Sequence, residues 1–189
     1  MSTLLRTLPV TALLAATFAI GATINKSVPV NTAHYETATL AGGCFWGLQE
    51  TLRQIPGVIK TTVGYTGGTT PNPTYEQVAA GKTGHIEAVE VIFDPARLSY
   101  EKLLTDFMTA RIPAQLATSA GNPHRPAIFY HDEEQRQTAE RVKDKINQSG
   151  KWNLPVVVEI SQATGFYQAE EYHQDYYRKI SAAHTCNLN

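Results

Sequence analysis

The sequence predicts an α+β domain, a mixed sheet with helices packed on it, and three observations carry that expectation. Segments with strand alternation and segments with helical spacing interleave along the chain. Glycine, proline and capping residues stand between them, where turns are needed. With 189 residues, 42% hydrophobic and 17% charged, the chain has enough apolar material for one core. A formal net charge of -1 and a pI near 6.6 offer no basic field to phosphates, so no nucleic-acid partner is expected.

The first segment differs in kind from the rest. Met1 to Leu8 carries Arg6 and no acid, Val10 to Ile20 is nearly all apolar, and small residues stand at Ala19, Gly21 and Ala22. That is a signal-peptide layout over residues 1–22, and the apolar run is short against the roughly 20 residues of a spanning helix. An uncleaved anchor is the rival reading. Residues 23–35 are polar with Pro29 and no period, a flexible leader. Export to a periplasmic or other extracytoplasmic site is therefore expected, with the domain over 36–180 and a tail over 181–189.

Within the domain, Thr37 to Leu40 suits a short strand. Gly42-Gly43-Cys44-Phe45-Trp46-Gly47 follows, and Phe45, Leu48, Leu52 and Ile55 keep helical spacing until Pro56-Gly57. Cys44 thus falls at a helix N-terminus, where unpaired amides and the helix dipole favour a thiolate. Phe45 and Trp46 beside it suit a pocket for an apolar group. Val58 to Tyr65 reads as a strand leading to Gly67-Gly68, and the loop with Pro71 and Pro73 ends at a short helix capped by Thr74 with Gln77 and closed by Gly81. Tyr75, at that junction, reads on its own as a packed aromatic.

Gly84 to Phe93 is a strand whose alternation puts Glu87 on one face with Val89, Val91 and Phe93. A carboxyl desolvated there is a candidate proton donor; the residues alone leave open a strand-end carboxylate that reaches solvent, as Glu90 on the other face does. Ser99 opens a helix with Tyr100, Leu103, Leu104, Phe107 and Met108 on its core side. Arg111 to Pro126 has no period and three prolines, a loop long enough to line a site. Ala127 to Tyr130 is a strand, and Asp132 starts a helix to Gly150, with Gln135 completing a capping box and Ala139, Val142 and Ile146 as its apolar stripe. Val156 to Ile160 reads as a strand, and Ala169 to Ile180 as a last helix with Tyr172, Tyr176 and Ile180 on one side.

Cys44 and Cys186 are the two cysteines of a chain expected in an oxidising compartment, so pairing is expected. A permanent bond would stabilise an exported binding domain by about 4 to 5 kcal/mol on the chain-entropy account. A thiol on a C-terminal tail suits exchange instead. An acyl-transfer enzyme using Cys44 with His85 or His173 is a further possibility on residue types. The scattered histidines predict no metal site.

The string Gly43-Cys44-Phe45-Trp46-Gly47 resembles the nucleophile motif of class A methionine sulfoxide reductases, and the similarity runs from Thr39 to Tyr176. Gly64-Tyr65 with Gly67-Gly68, Asn72-Pro73-Thr74-Tyr75, Gly81-Lys82-Thr83-Gly84-His85 with Glu87, Ala127-Ile128-Phe129-Tyr130 and Glu170 through Tyr176 follow the family's order. The resemblance implies a two-layer α/β sandwich with a ferredoxin-like core. It implies reduction of methionine-S-sulfoxide, free or in proteins, with Cys44 attacking the sulfur, Glu87 protonating the oxygen, Tyr75 steadying that oxygen, and Phe45 and Trp46 holding the methyl group. A sulfenic acid would form at Cys44, be resolved by Cys186 as a disulfide, and be recycled by a thioredoxin-like reductant, in a monomer with no metal or organic cofactor.

The chain departs from that pattern after Arg111. Arg111-Ile112-Pro113 stands where the family has His-Asp-Pro, and Gly121-Asn122-Pro123-His124-Arg125-Pro126 is shorter and holds neither the family's Asp nor its Tyr, a second hydroxyl on the oxygen. His124, by its place in the loop, or a water is expected to fill that gap. Ala182-Ala183-His184-Thr185 replaces a glycine-rich run. The alternative this leaves is an exported domain of the same fold with weak or no reductase activity and a structural Cys44–Cys186 bond.

Overall fold

Strands β1 (Glu36–Ala41), β2 (Val58–Thr66), β3 (Ile86–Phe93), β4 (Ala127–Tyr130), β5 (Glu159–Gln162) and β6 (Tyr167–Gln168) form one sheet in the order β5-β4-β1-β3-β2-β6. Only β4 and β5 run parallel. The helices are α1 (Phe45–Arg53), α2 (Tyr75–Ala79), α3 (Tyr100–Arg111), α4 (Glu133–Gln148) and α5 (Tyr176–Cys186). This computed structural model describes residues 34–111, 122–150 and 155–186, without the side chains of 111 and 182–186. The expected signal segment, nearly all of the leader, most of the loop after Arg111 and the Cys186 side chain lie outside the described residues.

The middle of the sheet, β4-β1-β3-β2, with α1 after β1 and α3 after β3, is a ferredoxin-like βαββαβ core with one strand added at each edge. Alternation sorts its two faces. Leu40, Val63, Val89 and Val91 meet Leu48 and Leu52 of α1, and α3 and α4 add Leu103, Leu104 and Val142 to the same buried cluster. On the opposite face Ala41, Ile86, Ala88, Ala127 and Phe129 form a smaller cluster, covered by Ala163 and Phe166. The helices therefore make one layer and the sheet the other.

Four local expectations change. Arg111 is the last residue of α3, not the first of a loop. At the start of α4, Asp132 accepts from the Gln135 N–H at 2.8 Å, but the Gln135 side chain reaches one residue further back, to the His131 N–H at 3.1 Å. The strand expected over Val156 to Ile160 begins only at Glu159, because β4 is four residues long and pairs Ala127 with Glu159. The backbone of Val156 is held instead by Asn147 of α4, through N–H to Oδ1 at 2.7 Å. The sheet also gains β6, which sequence pattern missed; a Cβ at Gly64 would collide with the Tyr167 carbonyl, so glycine there lets β6 approach β2.

The last helix differs most. Glu171–His173 form a 3-10 turn, Gln174 is extended, Asp175 has φ 50, and only then does α5 begin. Tyr172 is 56% exposed, so the expected stripe of Tyr172, Tyr176 and Ile180 does not form. Helical geometry gives way because Glu170, His173 and Gln174 each bond a different part of the domain. At its other end α5 runs past Ile180 to Cys186, so most of the expected tail is helix.

Candidate active site

Cys44 stands between β1 and α1 as the residue before the first helical turn, with φ -60 and ψ 126, and it is exposed. Gly43 before it has φ 75, a conformation side chains rarely adopt, while a Cβ there would meet nothing within 4 Å. Glycine therefore serves the turn into the helix, not close packing.

Beneath that turn lies Glu87, the second residue of β3 and only 3% exposed. The Phe45 N–H, the first amide of α1, donates to Glu87 Oε2 at 2.9 Å. His124 Nε2 lies 3.2 Å from Oε1. Burial pushes the Glu87 carboxyl above the usual carboxylate range, against the opposing pull of the Phe45 amide and the His124 imidazole. The structure thus places Glu87 among the buried acids, while Glu90, three residues on, sits on the other face and is only half-buried.

Tyr75 opens α2 at the same end of the sheet. Burial, followed by the negative charge of Glu87 and of Cys44, pushes its phenol upward, so it stays a hydroxyl donor. The capping expectation for α2 holds: Thr74 and Gln77 form the box, with Gln77 accepting from the Thr74 N–H at 3.1 Å.

Phe45 and Trp46 have different positions. Phe45 is 1% exposed and belongs to the main core, 6.0 Å from the Tyr65 ring and 5.1 Å from His173. It forms a floor. Trp46 is half-buried, stacked on Tyr176 at 3.8 Å, and its Nε1–H donates to His173 Nδ1 at 3.0 Å.

His173, Glu170, Tyr65 and Tyr176 complete the surroundings, and residue-level reasoning gave them no such roles. His173 is 2% exposed, ringed by Phe45, Tyr75 and Tyr172, and burial pulls its pKa down, so it is a neutral acceptor for Trp46. Glu170 accepts from the Tyr65 hydroxyl at 2.8 Å and from the Tyr75 N–H at 3.0 Å. It fixes where Tyr75 begins its helix. The signal that could have found these residues is the polar run Glu170 to Gln174, which has no place in an amphipathic helix unless its side chains are used inward.

Neither histidine considered as a base for acyl transfer serves the thiol. His85 spends both ring nitrogens on the turn, accepting from the Gly68 N–H at 3.1 Å and bonding the Thr70 carbonyl at 2.8 Å. His173 gives Nδ1 to Trp46, and its Nε2 has no hydrogen-bond partner among the described residues. Cys186 is the last residue of α5, and the position of its sulfur lies outside the described residues. Among the described residues no group of three His, Cys, Asp or Glu is placed to hold a metal ion.

A thiol at a helix start, a buried carboxyl beneath it and a phenol beside it can deliver a nucleophile, a proton and a hydrogen bond to one small polar group. A family model described as peptide methionine sulfoxide reductase matches residues 36–189. A peptide methionine sulfoxide reductase MsrA of Listeria innocua is 51% identical over 150 residues, covering 78% of this chain and 85% of that protein. Among solved structures, methionine sulfoxide reductase A of Corynebacterium diphtheriae is 32% identical with a TM-score of 0.65, over 77% of this chain and 74% of that one. Mxr1 of Saccharomyces cerevisiae in reduced form is 28% identical with a TM-score of 0.68, over 82% and 90%. Mxr1 in complex with Trx2 shares the fold, at a TM-score of 0.53 and 24% identity, over 80% and 91%. The chain belongs to the class A peptide methionine sulfoxide reductase family and is an oxidoreductase acting on methionine sulfoxide.

Proposed function

We propose that this enzyme reduces the S epimer of methionine sulfoxide, free or in proteins, with Cys44 as nucleophile and Glu87 as acid. The Cys44 thiolate attacks the sulfoxide sulfur as Glu87 gives its proton to the oxygen, and Tyr75 donates a hydrogen bond to that oxygen. In the adduct so formed the hydroxyl passes to the Cys44 sulfur: the methionine sulfur–oxygen bond and the new sulfur–sulfur bond break as a sulfur–oxygen bond forms on Cys44. Methionine leaves, Cys44 is a sulfenic acid, and Glu87 is a carboxylate. The Cys186 thiol displaces the oxygen as water, forming a disulfide, and a dithiol reductant restores both thiols. Mxr1, of the same fold, has been solved with Trx2, which supports a thioredoxin-like protein in that role. Trp46, half-exposed above the Phe45 floor, gives the methyl group an apolar wall.

The observation that carries this reading is the Glu87 carboxyl, buried and bonded to the first amide of the helix that begins at Cys44. A neutral acid there suits a leaving oxygen that departs readily only when protonated. The test is dithiothreitol-driven turnover resolved by epimer. Wild type is expected to consume one epimer, Cys44→Ser neither, and Cys186→Ser is expected to turn over with dithiothreitol and stall with thioredoxin. Turnover of both epimers, or an active Cys44→Ser, contradicts the assignment. The same reading takes the chain to be exported, supported by Arg6 and the apolar run from Val10 to Ile20; N-terminal sequencing of the secreted protein would show a start near residue 23.

A further inference from the structure

Glu87 gives up a proton in every turnover, yet it is 3% exposed, so the return of that proton needs a route. Its Oε2 is occupied by the Phe45 amide, which supplies no proton. Its Oε1 faces His124 Nε2 at 3.2 Å, and the His124 side chain is 44% exposed. The imidazole is thus in contact with both the buried acid and solvent.

The segment carrying His124 is fastened by its backbone. The Gly43 N–H donates to the His124 carbonyl at 3.0 Å, and the Glu87 N–H donates to the Pro123 carbonyl at 2.9 Å. The Asn122 side chain accepts from the His124 N–H at 2.9 Å. None of these bonds uses the ring, so the imidazole can exchange a proton while its place beside Glu87 is kept. Among the described residues, the other titratable groups around Glu87 are Cys44 at the start of α1, Tyr65 on β2 and Tyr75 on α2. The Tyr65 hydroxyl is committed to Glu170. The thiol and the Tyr75 phenol are spent on substrate.

We propose that His124 is the proton carrier that reloads Glu87 from solvent, an inference that rests on Glu87 being the acid of the reaction. In the step the Nε2–H bond of the imidazolium breaks as an O–H bond forms on Oε1. Imidazolium and carboxylate become imidazole and carboxylic acid, and the imidazole takes its next proton from water or buffer. His124 acts through Glu87 and need not touch the sulfoxide. The role departs from the sequence expectation, in which His124 itself meets the sulfoxide oxygen.

Steady-state turnover of methionine sulfoxide with dithiothreitol, using the full chain, tests it in wild type, Cys44→Ser, His124→Ala and His124→Gln, with and without added imidazole. Both His124 variants are expected to lose about 10-fold or more in kcat with KM nearly unchanged. Imidazole is expected to restore His124→Ala in proportion to its protonated fraction as pH is varied, and to leave His124→Gln slow, because the glutamine fills the gap without titrating. Unchanged kcat, a loss confined to KM, or a kcat loss that imidazole leaves unrestored overturns the relay. Melting curves separate any general loss of fold, to which imidazole rescue would not apply. A wild type that does not turn over, or a Cys44→Ser that does, sinks the underlying assignment instead, and the two failures are distinct.

Discussion

Two regions meet at the first turn of α1 and reach it by different kinds of backbone. The amino-terminal region, Glu36 to Phe93, supplies Cys44, Tyr75 and Glu87 from the ends of regular elements, and Glu87 faces inward because its neighbours two and four residues on do. The carboxyl-terminal region, Ala169 to Tyr176, supplies Glu170, His173 and Gln174 from a 3-10 turn, an extended residue and Asp175 in the left-handed region. In the proposed mechanism the first region aims groups at a substrate. The second holds the first in place: Glu170 fixes the Tyr75 amide, His173 the Trp46 indole, and Gln174 the backbone of Val63. Regular structure is thus enough to point a reactive group, whereas bracing three separate elements requires a backbone that turns at each residue.

If the division is right, the largest effect on chemistry comes from the regular region. Glu87→Gln keeps an acceptor for the Phe45 N–H but carries no acidic proton, and kcat is expected to fall about 100-fold or more. Its stability should move the other way. A carboxyl whose folded pKa is raised stabilises the fold fully below the unfolded pKa, and loses that contribution as pH rises through the raised value. Glutamine has no such loss, so Glu87→Gln should gain on wild type in melting temperature as pH rises from about 4 to 8. A variant that loses rate and stability together at pH 8 would mean that Glu87 is chiefly a structural bond.

The second effect belongs to the irregular region and concerns stability. Gln174 accepts from the Val63 N–H at 3.0 Å and donates to the carbonyls of Val63 at 2.9 Å and Ala169 at 3.0 Å, all buried. Gln174→Ala removes all three bonds; the Val63 carbonyl keeps the Ala169 N–H at 3.0 Å, while the Val63 N–H and the Ala169 carbonyl lose the Gln174 side chain, and the variant is expected to cost about 3 kcal/mol, lowering the melting temperature by roughly 6 to 12 °C. A cost under about 1 kcal/mol in chemical denaturation would show that the 3-10 turn holds itself and that the bracing role is wrong.

The same contrast explains what could be read from the chain before its structure. β1, α1, β2, β3, α3 and the apolar stripe of α4 were legible because each repeats a period, and Glu87 was legible because it interrupts one. Cys44 was legible as a lone cysteine between two glycines and two aromatics. The break at Gln174 and Asp175 was not, since Tyr172, Tyr176 and Ile180 keep helical spacing across it; spacing says nothing of the bonds that Glu170, His173 and Gln174 make elsewhere. The partner of His124 was illegible for a similar reason: Glu87 is on a strand far away in sequence, and two backbone bonds bring the two together.

The smallest effect sharpens the comparison at Trp46. His173 is held neutral by burial, with Glu170 and Glu76 opposing, and as a neutral ring it accepts the Trp46 Nε1–H. His173→Leu removes the acceptor and keeps an apolar side chain against Phe45 and Tyr75. Losing one hydrogen bond of about 1 kcal/mol should raise KM for methionine sulfoxide about fivefold and change kcat little. The pH dependence gives an independent reading. A histidine whose folded pKa is depressed contributes stability above its unfolded pKa of about 6.5, and that contribution is lost as pH falls toward the folded value. Wild type should therefore lose melting temperature below about pH 6.5, and His173→Leu should lose less over the same range. A variant whose kcat falls with KM unchanged would move His173 out of the bracing region and into the chemistry, and the boundary between the two regions would have to be drawn at Glu170.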